Sequence, residues 1–414
     1  MSDFLYRNGE LHVEGLALSD LAETYSTPSY VYSRKAIEKQ WLAYDEALKQ
    51  RKHLICYAVK ANSTLAILSI LAKLGSGFDI VSVGELERVL RAGGEAGRIV
   101  FSGVGKKREE MSRALDVGIK CFNVESMSEL ERLNQVAQEK NLQAPVSLRI
   151  NPDVDAATHP YISTGLKENK FGIAYEHALE SYRQAKLMTN IDVVGIDFHI
   201  GSQITTLEPY IDALNKLMAL VDQLAEKNIH LDHIDVGGGL GIQYQNESPP
   251  AAGQLVDVVC KVISEDSYEL LFEPGRSIVG NAAVLLTRVE YLKENSGRNF
   301  AIVDAAMNDI LRPALYDAWL SIIPLIEKST SPSRSYDIVG PVCESADFLG
   351  KNRELAIEEG DLLAVLSAGA YSFSMSSNYN SRPRAAEILI DGEKAIEIRK
   401  RESIASLMEG EIVL

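Results

Sequence analysis

Apolar and polar positions along this chain follow two different rhythms, and the change comes near Pro274. Up to that proline, short apolar runs recur near residues 54–59, 77–81, 98–101, 120–124, 145–150, 192–200, 232–236 and 268–273. Between them lie stretches with helical spacing: Leu65–Leu74, Gly84–Ala92, Arg108–Val117, Met127–Gln138, Glu176–Leu187, Leu207–Ala225 and Gly253–Ser264. Eight strands alternating with helices over roughly 240 residues is the count and length of a (β/α)8 barrel. A doubly wound parallel sheet shares the alternation, so the pattern alone leaves both open.

Beyond Pro274 the strand-like runs are Ala283–Tyr291, Phe300–Asp304, Tyr336–Val339, Leu362–Ser367, Ala386–Ile390 and Ala395–Arg399, with turn pairs such as Asp391-Gly392 between them. They predict an all-β domain (a β-barrel or sandwich) with one main helix over Leu315–Ile326. At the start of the chain, Phe4–Arg7 and Glu10–Val13 flank Asn8-Gly9, the pair favoured in a type I′ hairpin turn. A short helix at Leu18–Tyr25 and a strand at Tyr30–Tyr32 follow. The expected organisation is residues 1–32 as hairpin and helix packed with the β domain, 33–277 as the barrel, and 278–414 as the β domain.

Composition narrows the partners. A chain of 414 residues suits two domains, and 46% hydrophobic with 24% charged residues describes a soluble globular protein. A net charge of −16 argues against nucleic acid and against an anionic membrane, and leaves any phosphate or carboxylate ligand to local donors. No run approaches the roughly 18 apolar residues of a spanning helix, and Met1-Ser2-Asp3-Phe4 has no basic n-region, so the expected location is cytoplasmic. The four cysteines, Cys56, Cys121, Cys260 and Cys343, lack CxxC spacing, so neither a metal site nor a disulfide framework is expected.

Chemistry in a (β/α)8 barrel sits at the C-terminal ends of the strands. Here those ends carry Lys60, Asp79 with Ser82, Ser102, Asn123 with Glu125, Arg149 with Asn151, His199, Gly237-Gly238-Gly239, and Glu273. Each has a plainer explanation: a solvated strand-end lysine, a structural histidine, a flexible turn, and a Glu273–Arg276 ion pair. The glycine run is not a dinucleotide fingerprint, because it follows the seventh strand of the series and not the first. Gly103-Val104-Gly105-Lys106-Lys107 lacks P-loop spacing and reads as a helix start. Taken together, the strand ends suit pyridoxal 5′-phosphate. Lys60 supplies the Schiff-base amine, the glycine turn holds the phosphate, His199 faces the ring and Glu273 holds the ring nitrogen protonated.

The motifs Tyr57-Ala58-Val59-Lys60-Ala61-Asn62, His199-Ile200-Gly201-Ser202-Gln203, Gly237-Gly238-Gly239-Leu240-Gly241, Glu273-Pro274-Gly275-Arg276, Cys343-Glu344-Ser345 and Ala368-Gly369-Ala370-Tyr371 resemble the diaminopimelate decarboxylase family. That family sits within the alanine-racemase-fold group of pyridoxal-phosphate ornithine/arginine decarboxylases. The likeness runs from the hairpin to about Glu402. It implies a homodimer with active sites shared across the interface, and cofactor contacts from Lys60, His199, Ser202, Gly238, Gly239, Glu273, Gly275, Arg276 and Tyr371. It further implies Lys60 and Cys343 as catalytic groups, Cys343 being the proton donor. Arg276, Arg312, Tyr316, Glu344 and Tyr371 would bind an amino-acid substrate, with Asp79 and Arg149 supporting the site. The implied reaction is meso-2,6-diaminopimelate to L-lysine and CO2, the last step of lysine biosynthesis. The stretch His159–Gly172 is expected to act as a lid.

Three alternatives stay open on the residues. A related decarboxylase of ornithine, arginine, lysine or carboxynorspermidine mostly lacks a substrate with a second α-amino-acid end, which the paired Arg276 and Arg312 favour. A racemase of the same fold would carry a tyrosine where this chain has Cys343-Glu344. A non-catalytic pyridoxal-phosphate homeostasis protein resembles the barrel alone.

Overall fold

The computed structural model describes residues 3–155, 169–328 and 332–414. The chain packs into two units. One comprises Gln40–Ile242 and Ser248–Ser277, and the other the chain up to Lys39, Gln243–Glu247 and Ile278–Leu414.

The first unit is a closed parallel barrel. Its strands are β1 (His53–Ala58), β2 (Gly77–Ile80), β3 (Ile99–Phe101), β4 (Cys121–Val124), β5 (Ala144–Asn151), β6 (Ile191–Asp197), β7 (His233–Asp235) and β8 (Glu269–Phe272). Each pairs with the next, and β8 returns to β1 through Leu270–His53, Leu271–Leu54 and Phe272–Ile55. Strands covered on both faces need no polar side, which is why β1 reads as a continuous apolar run whose residues Leu54 to Ala58 are all buried. Closure rules out the doubly wound alternative.

Helices between the strands start and stop on local chemistry. Ser82 Oγ accepts the Glu85 N–H, and Ser126 Oγ accepts the Glu129 N–H, each at 3.2 Å; such caps contribute about 1 kcal/mol. Gly118 and Asn141, both left-handed, end the helices Arg108–Val117 and Met127–Lys140. Inside the barrel, Gly195 on β6 makes room for its register partner His233 on β7. A Cβ at 195 would lie 2.2 Å from His233 Nε2, which instead sits 2.7 Å from Ser147 Oγ. Burial depresses the His233 pKa to about 3, so the imidazole there is neutral.

The second unit is built on a mixed sheet in the order Phe348–Leu355, Arg334–Val339, Arg298–Val303, Ala283–Asn295, Ser29–Ser33, Ala386–Asp391, Lys394–Arg399. Ser29–Ser33 lies inside this sheet, antiparallel to Ala283–Asn295 and parallel to Ala386–Asp391, with all five residues buried. Val31, Val284, Leu286, Ile388 and Ile390 form its core with Leu11, Val13, Leu18 and Leu21. The N-terminal hairpin pairs Phe4 with Val13, and Asn8 and Gly9 take φ of 52° and 81°, the type I′ geometry.

Three local expectations fail. The helix expected over Leu315–Ile326 is only Arg312–Tyr316, because Asp317 turns left-handed at φ 50° and Ile322–Pro324 pairs as a strand with Leu362–Val365. Phe348–Leu355 is a strand that its mixed polar sequence hid. The run 192–200 leaves the sheet at Asp197, so His199 stands in the loop beyond. Most of the expected lid, residues 159–168, lies outside the described residues.

In the β unit, Asp309 is 1% exposed. Its Oδ2 accepts the Ala306 N–H at 3.0 Å and its Oδ1 accepts from Asn308 Nδ2 at 3.2 Å, with Arg382 3.9 Å away. Burial raises its pKa from 3.8 to about 7. An acid that binds its proton more tightly when folded favours the folded state at low pH, and that advantage falls as pH climbs from 3.8 to about 7. Asp309→Asn should therefore flatten the decline in the urea midpoint across that window, whereas an unchanged slope would show that Asp309 does not set it.

Candidate active site

At the C-terminal mouth of the barrel the strand register brings charged side chains into one ring. Arg149 on β5 faces Asp197 on β6, and Asp197 faces Asp235 on β7. Glu273 follows β8, Asp79 lies on β2, and Lys60 stands in the single turn Val59–Ala61 that follows β1. The Lys60 ammonium pairs with the fully buried Asp79 carboxylate while its own side chain remains 35% exposed. The amine is thus anchored by Asp79 while part of the side chain stays open to solvent. Tyr57 O–H donates to the Asn62 carbonyl at 3.0 Å, and Asn62 Oδ1 accepts the Thr64 N–H at 3.0 Å, which stiffens the turn.

Glu273 Oε1 accepts from Asn123 Nδ2 at 3.1 Å and Ser102 Oγ at 3.4 Å. Burial, and then the charges of Asp235, Asp79 and Asp197, push its pKa well above the usual carboxylate range. Asp235 is raised to about 6, chiefly by burial, although the Gly237 N–H works the other way. Burial alone would lower the pKa of Arg149, but the charges of Glu125, Asp197, Glu273 and Asp79 hold it above its usual value, and Glu125 Oε1 lies 3.0 Å away. Carboxyl oxygens of Asp197, Asp235 and Glu273 lie within 4.8 Å of one another.

The glycine turn after β7 is held by hydrogen bonds to its own backbone groups. Gly237 N–H donates to Asp235 Oδ1 at 2.9 Å, Glu273 N–H donates to the Gly237 carbonyl at 2.7 Å, and Tyr210 O–H donates to the Gly238 carbonyl at 3.0 Å. Gly237 and Gly239 take φ of 67° and 102°, and a Cβ at Gly238 would meet the Glu273 carbonyl oxygen at 2.2 Å. His199 Nδ1 accepts the Gly238 N–H at 3.2 Å, which places the ring proton on Nε2. Burial, then Arg149 and Lys60, lower the His199 pKa well below its ordinary value, so the ring is neutral. Arg276 donates to Ser202 Oγ at 2.9 Å, and Gly275 packs on Ala58 and Ala61.

The barrel therefore assembles Lys60, His199, Ser202, Gly238, Gly239, Glu273, Gly275 and Arg276 around one mouth. The other predicted residues belong to the β unit. Arg312 is buried with its guanidinium 4.6 Å over the Tyr244 ring, and Tyr316 ends the same short helix. Cys343 and Glu344 are exposed, and Tyr379 O–H donates to Glu344. Tyr371 holds a left-handed φ of 55°, a strain that backbones store at functional positions. Sequence reading did not single out Asp235, Tyr244 or Tyr379. Only Asp235 carried a signal, an acidic residue at the strand end two residues before Gly237.

This ring fits pyridoxal phosphate. Asp79 Oδ1, Asp197 Oδ1 and Asp235 Oδ2 are buried with no hydrogen-bond donor among the described residues, so the site favours a cation at its floor. A protonated pyridine nitrogen is such a cation, and Lys60 and the glycine turn stand ready for an aldehyde and a phosphate.

Comparisons with known proteins point the same way. A family profile described as pyridoxal-dependent decarboxylase, pyridoxal binding domain, matches residues 34–280. Diaminopimelate decarboxylase of Pseudomonas aeruginosa is 59% identical over 414 residues, covering 100% of both chains. That of Pseudomonas fluorescens is 60% identical over 415 residues, again covering 100% of both. The crystal structure of the Helicobacter pylori diaminopimelate decarboxylase complexed with L-lysine matches with a TM-score of 0.91 and 45% identity, over 94% of this chain and 98% of that one.

Gly238→Ala drives a methyl into the Glu273 carbonyl, and the turn must open at a strain cost of ~1–3 kcal/mol. Pyridoxal phosphate affinity, titrated by absorbance, should fall about tenfold or more. Affinity equal to wild type would remove the turn from the cofactor site.

Proposed function

The chain belongs to the pyridoxal-dependent decarboxylase family, in its diaminopimelate decarboxylase branch, and we propose that it converts meso-2,6-diaminopimelate to L-lysine and CO2. The observation that carries this reading is 59% identity along the whole length of a diaminopimelate decarboxylase. The barrel mouth supplies the chemistry to match.

Lys60 would hold the cofactor's aldehyde carbon, the Gly237–Gly239 turn with Ser202, Gly275, Arg276 and Tyr371 its phosphate, and Glu273 its ring nitrogen. His199, neutral, can lie against a ring face without adding charge. Bound pyridoxal phosphate supplies the electron sink for the bond pair left at the α-carbon when CO2 departs. The chain's own residues do the rest. Asp79 keeps the Lys60 ammonium oriented in the mouth whenever that amine is not joined to the cofactor. Cys343 delivers the proton that replaces CO2 at the α-carbon. Arg276 and Arg312, whose planar forks suit carboxylates, bind the distal carboxylate with Tyr316, and Glu344 takes the distal ammonium. A substrate with a second amino-acid end is thereby favoured over a simple diamine precursor.

Cys343 and Glu344 are assigned to the site of a second copy, so that the working form is a homodimer with shared active sites. The exposure of both side chains in a single chain supports this. A cytoplasmic location belongs to the same reading: the four cysteines are all free, which suits a reducing compartment. Among the described residues, no helix is long and apolar enough to cross a membrane.

Two experiments test the assignment. In a panel of diaminopimelate, ornithine, arginine, lysine and carboxynorspermidine, CO2 should be released from diaminopimelate, and release from ornithine alone overturns the choice. Cys343→Ala should keep the yellow chromophore of lysine-bound cofactor and lose roughly 10²–10⁴ in turnover. A variant that works at the native rate takes Cys343 out of the mechanism.

A further inference from the structure

Of the buried carboxyls at the barrel floor among the described residues, Asp235 alone also holds the glycine turn. Asp235 is 0% exposed, and its two carboxyl oxygens face different tasks. Oδ1 accepts the Gly237 N–H at 2.9 Å and so anchors the phosphate-side turn. Oδ2 is buried, and no N–H or O–H donor among the described residues reaches it. One carboxyl oxygen from each of Asp235, Glu273 and Asp197 lies within 4.8 Å of the other two.

An acceptor buried among acceptors is satisfied only if one of them carries a proton, since an unmet buried carboxylate costs several kcal/mol. The groups packed around the pair relieve the charge only in part, through Lys60 on Glu273 and Asn123 on Asp235. Asp79 and Asp197 add negative charge, and Lys60 and Arg149 are already engaged with Asp79 and Glu125. Ser102 and Asn123 give hydrogen bonds to Glu273 Oε1, and Asn123 also favours the ionised form of Asp235. Cys56, fully buried, has its thiol pKa raised well above the usual range, first by burial, and stays neutral.

We propose that Asp235 is a positioning residue that shares one proton with Glu273, and that Glu273 passes this proton to the ring nitrogen when the cofactor binds. The Glu273 O–H bond breaks, the nitrogen lone pair forms an N–H bond, and the pair becomes carboxylates facing a pyridinium. No charge is created overall, and no proton crosses the buried site from bulk water. Asp235 thus ties the two ends of the cofactor together, holding the glycine turn with one oxygen and the proton for the ring with the other. The upward shifts of both carboxyl pKa values agree with this geometry.

The inference rests on the cofactor reading above, and infrared difference spectroscopy separates the two. Full-length protein stripped of cofactor and reloaded with pyridoxal phosphate should lose the C=O stretch of a protonated carboxyl as the yellow chromophore appears. The carbocyclic analogue, with C–H in place of the ring nitrogen, should also bind to Lys60 but leave that band in place. In Asp235→Asn, whose side-chain oxygen can still accept from Gly237, the band should be absent from the difference spectrum. No chromophore with either compound defeats the cofactor reading itself. A chromophore with no band lost, a band lost equally with the analogue, or an unchanged band in Asp235→Asn overturns this proposal alone. Should the variant fail to fold, the wild-type comparison of the two compounds decides.

Discussion

The central constraint on this structure is an excess of buried negative charge at the barrel mouth. Asp79, Asp197, Asp235 and Glu273 lie there with Lys60 and Arg149 as cations among them, and three of the carboxyls keep an oxygen that no donor among the described residues reaches. Burying like charges is unfavourable by several kcal/mol for each ion left unpaired. A fold tolerates that at a place where a ligand brings the missing charge. The same imbalance orients Lys60, whose ammonium is drawn to Asp79.

Barrel geometry makes this concentration possible. Parallel strands all end on one rim, and residues in register on neighbouring strands stand side by side, as Arg149, Asp197 and Asp235 do. Deeper in the barrel, Gly195, Ser147 and an uncharged His233 pack together. That interior serves packing, and the C-terminal rim serves chemistry. The β unit is tied together differently, by Ser29–Ser33 lying between two strands from the far end of the sequence. Cys343 and Glu344 lie on its surface, where Tyr379 donates to Glu344.

Much of this was legible beforehand. The eight apolar runs correspond to the barrel strands, and Lys60, His199, the glycine turn and Glu273 meet at the mouth because strand ends in such a barrel must. Legibility failed where the pattern was short or mixed. Phe348–Leu355 interleaves Gly350, Lys351, Asn352 and Arg353 with its apolar residues, so no period marks it as a strand. The apolar spacing of Leu315–Ile326 suits a helix, yet a left-handed Asp317 and a neighbouring strand override it. Tyr244 under Arg312 and Tyr379 on Glu344 are contacts between residues far apart in the chain, and nothing local announces them.

By itself, the sequence determined the alternation that builds the barrel, the amine and glycine turn at its strand ends, and the family to which the chain belongs. Those are properties of residue order, set by hydrophobic period and by which residue types stand where strands stop. Only the tertiary structure decided that Asp197, Asp235 and Glu273 share one buried space and that Lys60 points at Asp79. Electrostatic partnership depends on distance and on the loss of water around the charges, and both are fixed when the barrel closes.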